Sequence, residues 1–164
     1  MARQSAIAAL LAVVVASVSA QSGYAALLTP ADVEKVSGLT GVTLVARGAQ
    51  PAAGGDLNFA GPDRKLLLMV NFGNAQLYRK AREQKEITVG GQTLPMPLFA
   101  HAVPDLGDEA FDAPPGKEQH VLYVRKGDKA ISVTTYLGSQ AQRFKPLLTQ
   151  AQLRDIARVI LSRW

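Results

Sequence analysis

The stretch from His120 to Leu137, HVLYVRKGDKAISVTTYL, constrains the fold more than any other part of the chain. Two β-rich runs are joined by Gly127-Asp128. Glycine in the first central position is what a type II′ hairpin turn requires, because that position needs φ > 0. Pairing across the turn sets Arg125 opposite Ala130, Val124 opposite Ile131 and Leu122 opposite Val133. Leu122, Val124, Ile131 and Val133 then share one face of the pleat, and Tyr123, Arg125, Ser132 and Thr134 take the other. Burying the four apolar side chains contributes on the order of 6–12 kcal/mol before chain entropy is subtracted. This hairpin is expected to be the centre of a sheet.

The first twenty residues read as an export signal. Arg3 supplies a positive start, and Ala6 to Ala16 form an apolar run shorter than the ~20 residues a spanning helix needs. Val18-Ser19-Ala20 places small residues at the −3 and −1 positions, so cleavage is expected after Ala20, with Ala26 as the secondary position. Gln21 to Leu27 is expected to be a flexible leader, and residues 28–164 a single domain. No other stretch is apolar and long enough to span a bilayer, so the mature chain is expected in the periplasm or outside the cell.

The chain has no cysteine, which excludes disulfides, thiolate metal sites, a cysteine nucleophile and a lipid-bearing cysteine. The core alone must therefore hold the domain together, and the 144 residues left after removal of the first 20 of 164 suffice for that. Of the 18 Lys and Arg only Arg3 lies in the leader, so against 13 Asp and Glu the mature charge is +4. These charges are interspersed, which gives nucleic-acid binding no support.

Two helices begin with clear signals. In LLTPADV, Thr29 is the N-cap, Pro30 the first helical residue, and Leu28 with Val33 a hydrophobic staple, with Gly38 ending the helix. In LLTQAQL, Thr149 with Gln152 forms a capping box and Leu148 with Leu153 a staple. The shared layout hints at two similar halves. In the second helix Leu153, Ile156, Ala157, Ile160 and Trp164 make an apolar stripe at helical spacing. A third helix is expected from Ala75 to Lys85, capped by Asn74. It carries a narrow stripe of Leu77, Tyr78 and Ala81, and a basic outer face.

Between these helices the pattern predicts strands at 42–47, 56–60 and 65–72, the last broken by Gly73-Asn74, and a small hairpin at 86–94 around Gly90-Gly91. Residues 104–111 read as a tight turn running into a short strand. Hairpin-type connections dominate. The expected class is α+β, an antiparallel sheet of about five to seven strands with helices packed on one face.

Catalytic signatures are missing. His101 and His120 lie in different elements without ligand spacing, and no HExxH, GxSxG, Walker or dinucleotide pattern occurs. No cofactor is implied. Asp105, Asp108, Glu109 and Asp112 form the densest acidic cluster, so a hydrolase or metal-binding protein built on them is the alternative reading, with Asp105, Asp108 and Asp112 as the metal candidates. Asp108 is better placed to brace the turn at Gly107 by accepting from backbone N–H groups.

Val103, Pro104, Leu106, Gly107, Asp108, Ala110 and Phe111, followed by the hairpin and the closing LTQAQLRDIARVI helix, resemble a pattern in small exported bacterial proteins and lipoproteins. In these a V-P-x-L-G-D-x-A-F turn precedes a hairpin and a terminal helix. The LTPADVEKVSGL opening fits as well, so the resemblance spans most of the mature chain, which departs from many such proteins in lacking the lipid-bearing cysteine. It implies fold and location and no catalytic residue. The functional expectation is a non-catalytic module of the cell envelope, monomeric or weakly dimeric, that binds a protein or a small apolar ligand. The candidate surface is the proline-punctuated segment with Met96, Leu98, Phe99, His101 and Leu106, where apolar residues occupy a loop.

Overall fold

The computed structural model describes residues 23–46, 56–83, 86–89, 92–95, 101–112, 120–136 and 146–164. The first helix, α1 (Pro30–Ser37), starts as its sequence dictates. Thr29 is extended, its hydroxyl accepts from the Asp32 N–H, and the Asp32 carboxylate accepts from the Thr29 N–H at 2.9 Å, so two otherwise orphaned donors are satisfied reciprocally. Gly38, at φ 74°, closes the helix in the left-handed region.

Three strands follow, β1 (Thr43–Val45), β2 (Leu57–Ala60) and β3 (Leu66–Asn74), and then α2 (Ala75–Glu83). Strand β3 does not stop at Gly73. It continues because β9 pairs with it down to Asn74 opposite Lys129, and the Ala75 N–H reaches the Asp128 carbonyl at 2.8 Å. Asn74 caps α2 as expected, its side-chain oxygen accepting from Gln76 and Leu77. Strands β4 (Glu86–Val89) and β5 (Gln92–Pro95) pair as the separate small hairpin, with Val89 opposite Gln92.

The remaining strands are β6 (His101–Ala102), β7 (Glu109–Asp112), β8 (Val121–Lys126) and β9 (Lys129–Thr135), followed by α3 (Gln150–Ser162). One antiparallel seven-stranded sheet results, in the order β1-β2-β3-β9-β8-β7-β6. The fold is α+β, as the pattern of hairpin connections predicts. Among the described residues both edge strands are very short, two and three residues.

The β8–β9 register is the one the turn demands: Val124 opposite Ile131, Leu122 opposite Val133. Gly127 has φ 59° while Asp128 stays at negative φ, the signature of a type II′ turn. Leu122, Val124, Ile131 and Val133 are fully buried. With Phe59, Leu68 and Val70 they form a floor on which α1 and α3 lie through Val33, Leu153, Ile156, Ala157 and Ile160. Both staple leucines, Leu28 and Leu148, are buried in that core.

Helices α1 and α3 run antiparallel. Gln152, at the start of α3, donates to the Val36 and Ser37 carbonyls at the end of α1. Arg163, just past α3, donates to both Asp32 carboxylate oxygens at 2.6 and 2.8 Å. One helix precedes its three strands and the other follows its own. The common LLT layout is therefore a shared way of starting a helix on this core, not a repeated half.

Helix α2 departs from the expectation of helices on one face. Its Tyr78 packs with Phe111, Tyr123 and Ala130, which project from the side of the sheet opposite Leu122 and Val124. Two helices cover one face and α2 crosses part of the other.

Candidate functional site

Two regions hold the polar side chains singled out above, and their geometries lead to different conclusions. The first is the turn from Val103 to Asp108, where Asp105 (φ 58°) and Gly107 (φ 67°) both adopt the left-handed conformation. A Cβ on Gly107 would lie 2.5 Å from the Arg125 carbonyl oxygen and 2.8 Å from the Val124 side chain. The turn is thus pressed directly against β8. Its apolar members Val103 and Leu106 are 5 % and 2 % exposed, so Leu106, a candidate for ligand contact, belongs to the core instead. The reason is that the turn lies against β8 and directs Val103 and Leu106 into the main core rather than out into solvent.

Asp108 braces a turn, but the turn is the one at Gly127 between β8 and β9 rather than its own at Gly107. Its N–H donates to the Arg125 carbonyl at 2.8 Å, and its carboxylate accepts from the Gly127 N–H at 2.7 Å and from Arg125 Nη1 at 3.2 Å. The same guanidinium donates to Glu109 at 3.1 Å, and Glu109 also accepts from Arg82 on α2 at 3.0 Å. Asp112 points to the other face, is 2 % exposed, and forms an ion pair with Arg154 of α3 at 2.5 Å. Asp108, Glu109 and Asp112 are each bound to arginine or backbone, and Asp105 is exposed. Among the described residues no three His, Asp or Glu side chains come together as a metal site. The proposed set of Asp105, Asp108 and Asp112 is not assembled.

The histidines are also separated in role. His101 is exposed on β6, opposite Asp112 in register. His120 stands just before β8, with its Nδ1 buried and lacking a hydrogen-bond partner. Met96, Leu98 and Phe99 lie outside the described residues, as do the first 22 residues of the chain.

The second region is a groove that sequence reasoning did not identify. Where α2 crosses the sheet, an open cavity of about 780 Å3 runs between the helix and the strands, within the about 300–1,000 Å3 typical of small-molecule sites. Asn71 of β3 and Ser132 of β9 form its polar floor, joined by a 3.1 Å hydrogen bond from the Asn71 amide to the serine hydroxyl. Leu77 and Ala81 of α2 with Tyr123 of β8 supply apolar surface, and Asp56, Lys80 and Glu83 lie at the rim. Leu77 and Tyr24 are the exposed large hydrophobic side chains among the described residues. Gly73 lets Leu77 settle at the groove, since a Cβ there would come within 2.5 Å of Leu77 Cδ2.

The aromatic wall beside the groove is firm. Tyr78 meets Phe111 edge-on at 5.2 Å, and Phe111 stacks on Tyr123 at 4.9 Å. Burial raises the Tyr123 phenol pKa, and it raises that of Tyr78 with help from the nearby Glu109 carboxylate. Both phenols stay protonated at neutral pH and can act only as hydrogen-bonding groups. Ser132 accepts from the Asn71 amide, which cannot take its proton, so this contact does not activate the serine as a nucleophile. The groove is equipped to bind and orient a molecule.

One sequence signal pointed here. Ser132 and Thr134 alternate with the core residues of β9 and were assigned to the other face, yet they are 7 % and 5 % exposed. A polar, buried second face means that something lies over it. Compared with models of protein families, with curated proteins and with solved structures, the chain matches none.

Proposed function

We propose that this chain is an exported, non-catalytic binding module of the cell envelope, and that its site is the groove between α2 and the polar face of the sheet. The observation that carries the reading is Leu77, a large apolar side chain left 37 % exposed at the lip of a cavity whose floor is hydrogen-bonding. The fitting occupant is a small, partly apolar molecule with at least one hydrogen-bonding group. The commitment of Asp108, Glu109 and Asp112 to arginine and backbone partners supports binding over carboxylate chemistry. Export rests on the N-terminal pattern of Arg3, the short apolar run and Val18-Ser19-Ala20, with the resemblance to small exported bacterial proteins in support. No helix among the described residues is long and apolar enough to cross a membrane.

The test is native mass spectrometry of the protein purified gently from the periplasm of an expressing bacterium, beside the variant Ala81→Trp, which fills the groove. Extra mass on the parent chain, lost on denaturation and missing from the variant, is the expected result. A bare mass for each protein, equal to that of its own chain, counts against the groove.

A further inference from the structure

Residues 23–27, which follow the export signal, are part of the folded domain. Gly23–Ala26 form a single 3-10 turn, and the Leu27 N–H closes onto the Tyr24 carbonyl at 2.9 Å. The Tyr24 ring lies flat on Phe72, with centroids 4.1 Å apart and planes 6° from parallel. Trp164 meets the same Phe72 edge-on at 6.0 Å, and the Lys129 ammonium sits 5.3 Å from the Trp164 ring centre. Arg163, which grips Asp32, also donates to the Leu27 carbonyl at 3.3 Å. Ala25 and Leu27 pack against the main core. The segment expected to be a flexible leader is a strap across the end of the sheet.

We infer that the processing cut falls before this strap, after Ala20 and not after Ala26, and that residues 23–26 are a working part of the mature domain. This rests on the export reading. Both positions offer a small residue at −1, so the sequence leaves two choices. The fold separates them. A cut after Ala26 removes Tyr24 and Ala25, uncovers Phe72 and takes away the carbonyl that receives the Leu27 N–H. A cut after Ala20 leaves Gln21 and Ser22 ahead of the strap and every one of these contacts in place. A tyrosine at −3 in the second position also fits the small-residue rule poorly, whereas Val18 and Ala20 satisfy it.

The experiment uses the full chain expressed in a bacterial host. Intact mass and N-terminal sequencing of the exported protein are expected to give a chain starting at Gln21, and a chain starting at Leu27 overturns the inference. In parallel, Tyr24→Ser in the same full chain is expected to lower the melting temperature by about 4–10 °C through loss of the stacked ring. An unchanged melting temperature also overturns it, whatever the compartment. An unprocessed chain retained in the cytoplasm refutes export and the assigned cut together, while the melting comparison still judges the strap.

Discussion

Replacing Gly107 with alanine tests whether the 103–108 turn is fastened to the hairpin as described. Two effects add. The residue sits at φ 67°, where an L side chain raises the energy by about 1–2 kcal/mol. The new Cβ would also fall 2.5 Å from the Arg125 carbonyl oxygen, a backbone atom that cannot rotate away. To relieve that contact the turn must lift off β8. This lengthens the 2.8 Å bond from the Asp108 N–H to Arg125 and the 2.7 Å bond from Gly127 to the Asp108 carboxylate, worth about 1 kcal/mol each. The total is about 3–4 kcal/mol. Gly127→Ala is the control, since Gly127 also has positive φ (59°) but nothing lies within 4 Å of its Cβ position, so only the backbone penalty of about 1–2 kcal/mol applies. A smaller unfolded-state gain from Gly→Ala, about 0.4–1 kcal/mol, is common to both. In urea titrations with a slope of about 2 kcal/mol/M, the two midpoints should differ by about 1 M, Gly107→Ala being the lower. Equal midpoints would refute the close approach of turn and strand.

Other perturbations follow from the same contacts. Arg154→Met leaves Asp112 buried without its partner and should destabilise by about 3–5 kcal/mol, whereas the double replacement with Asp112→Leu should recover most of that loss in chemical denaturation. The Arg163 guanidinium beside Asp32, aided by Thr29, holds that carboxyl well below the usual carboxylate range. Its contribution to stability is therefore complete above the unfolded value of about 3.9 and fades as pH falls through the folded value. Melting curves of the parent and Asp32→Asn should lie well apart at pH 7 and approach each other below pH 3; a constant gap across that range would contradict the pairing. Thr149→Ala removes the side chain that receives the Gln152 N–H and should lower stability by about 0.5–2 kcal/mol in urea titration, with Thr149→Ser close to the parent.

Features written in neighbouring residues were legible. The II′ turn needs Gly127, the caps need Thr29 and Thr149 with a partner three residues on, and the alternation in β8 and β9 names the buried face, because each is settled over a few residues of chain. That Asp108 braces a turn was legible, but its partner Gly127, 19 residues on, was not. Leu106 was misassigned because a leucine in a turn looks exposed until the turn is seen pressed against β8 with its side chain in the core. For α2, the stripe of Leu77, Tyr78 and Ala81 shows an inner side but not which sheet face receives it. Its Tyr78 goes to Phe111 and Tyr123, and Leu77 is left at the groove.

The amino-acid sequence by itself therefore determined the helix starts, the register of β8 with β9, the apolar stripe of α3 and the α+β class. Tertiary structure alone decided that β3 lies beside β9, that Asp112 meets Arg154, that Asp32 meets Arg163, and that a strap at Tyr24 closes over Phe72. These pairs are separated by 42 to 131 residues wherever a hydrogen bond joins them. The physical reason is one of range. Propensity and capping act over a turn or two, so a short window contains all their terms. Pairing between distant strands and charges depends on which arrangement buries Leu68, Ile131 and Ile160 together while leaving every buried carboxylate a partner, and that choice belongs to the whole chain.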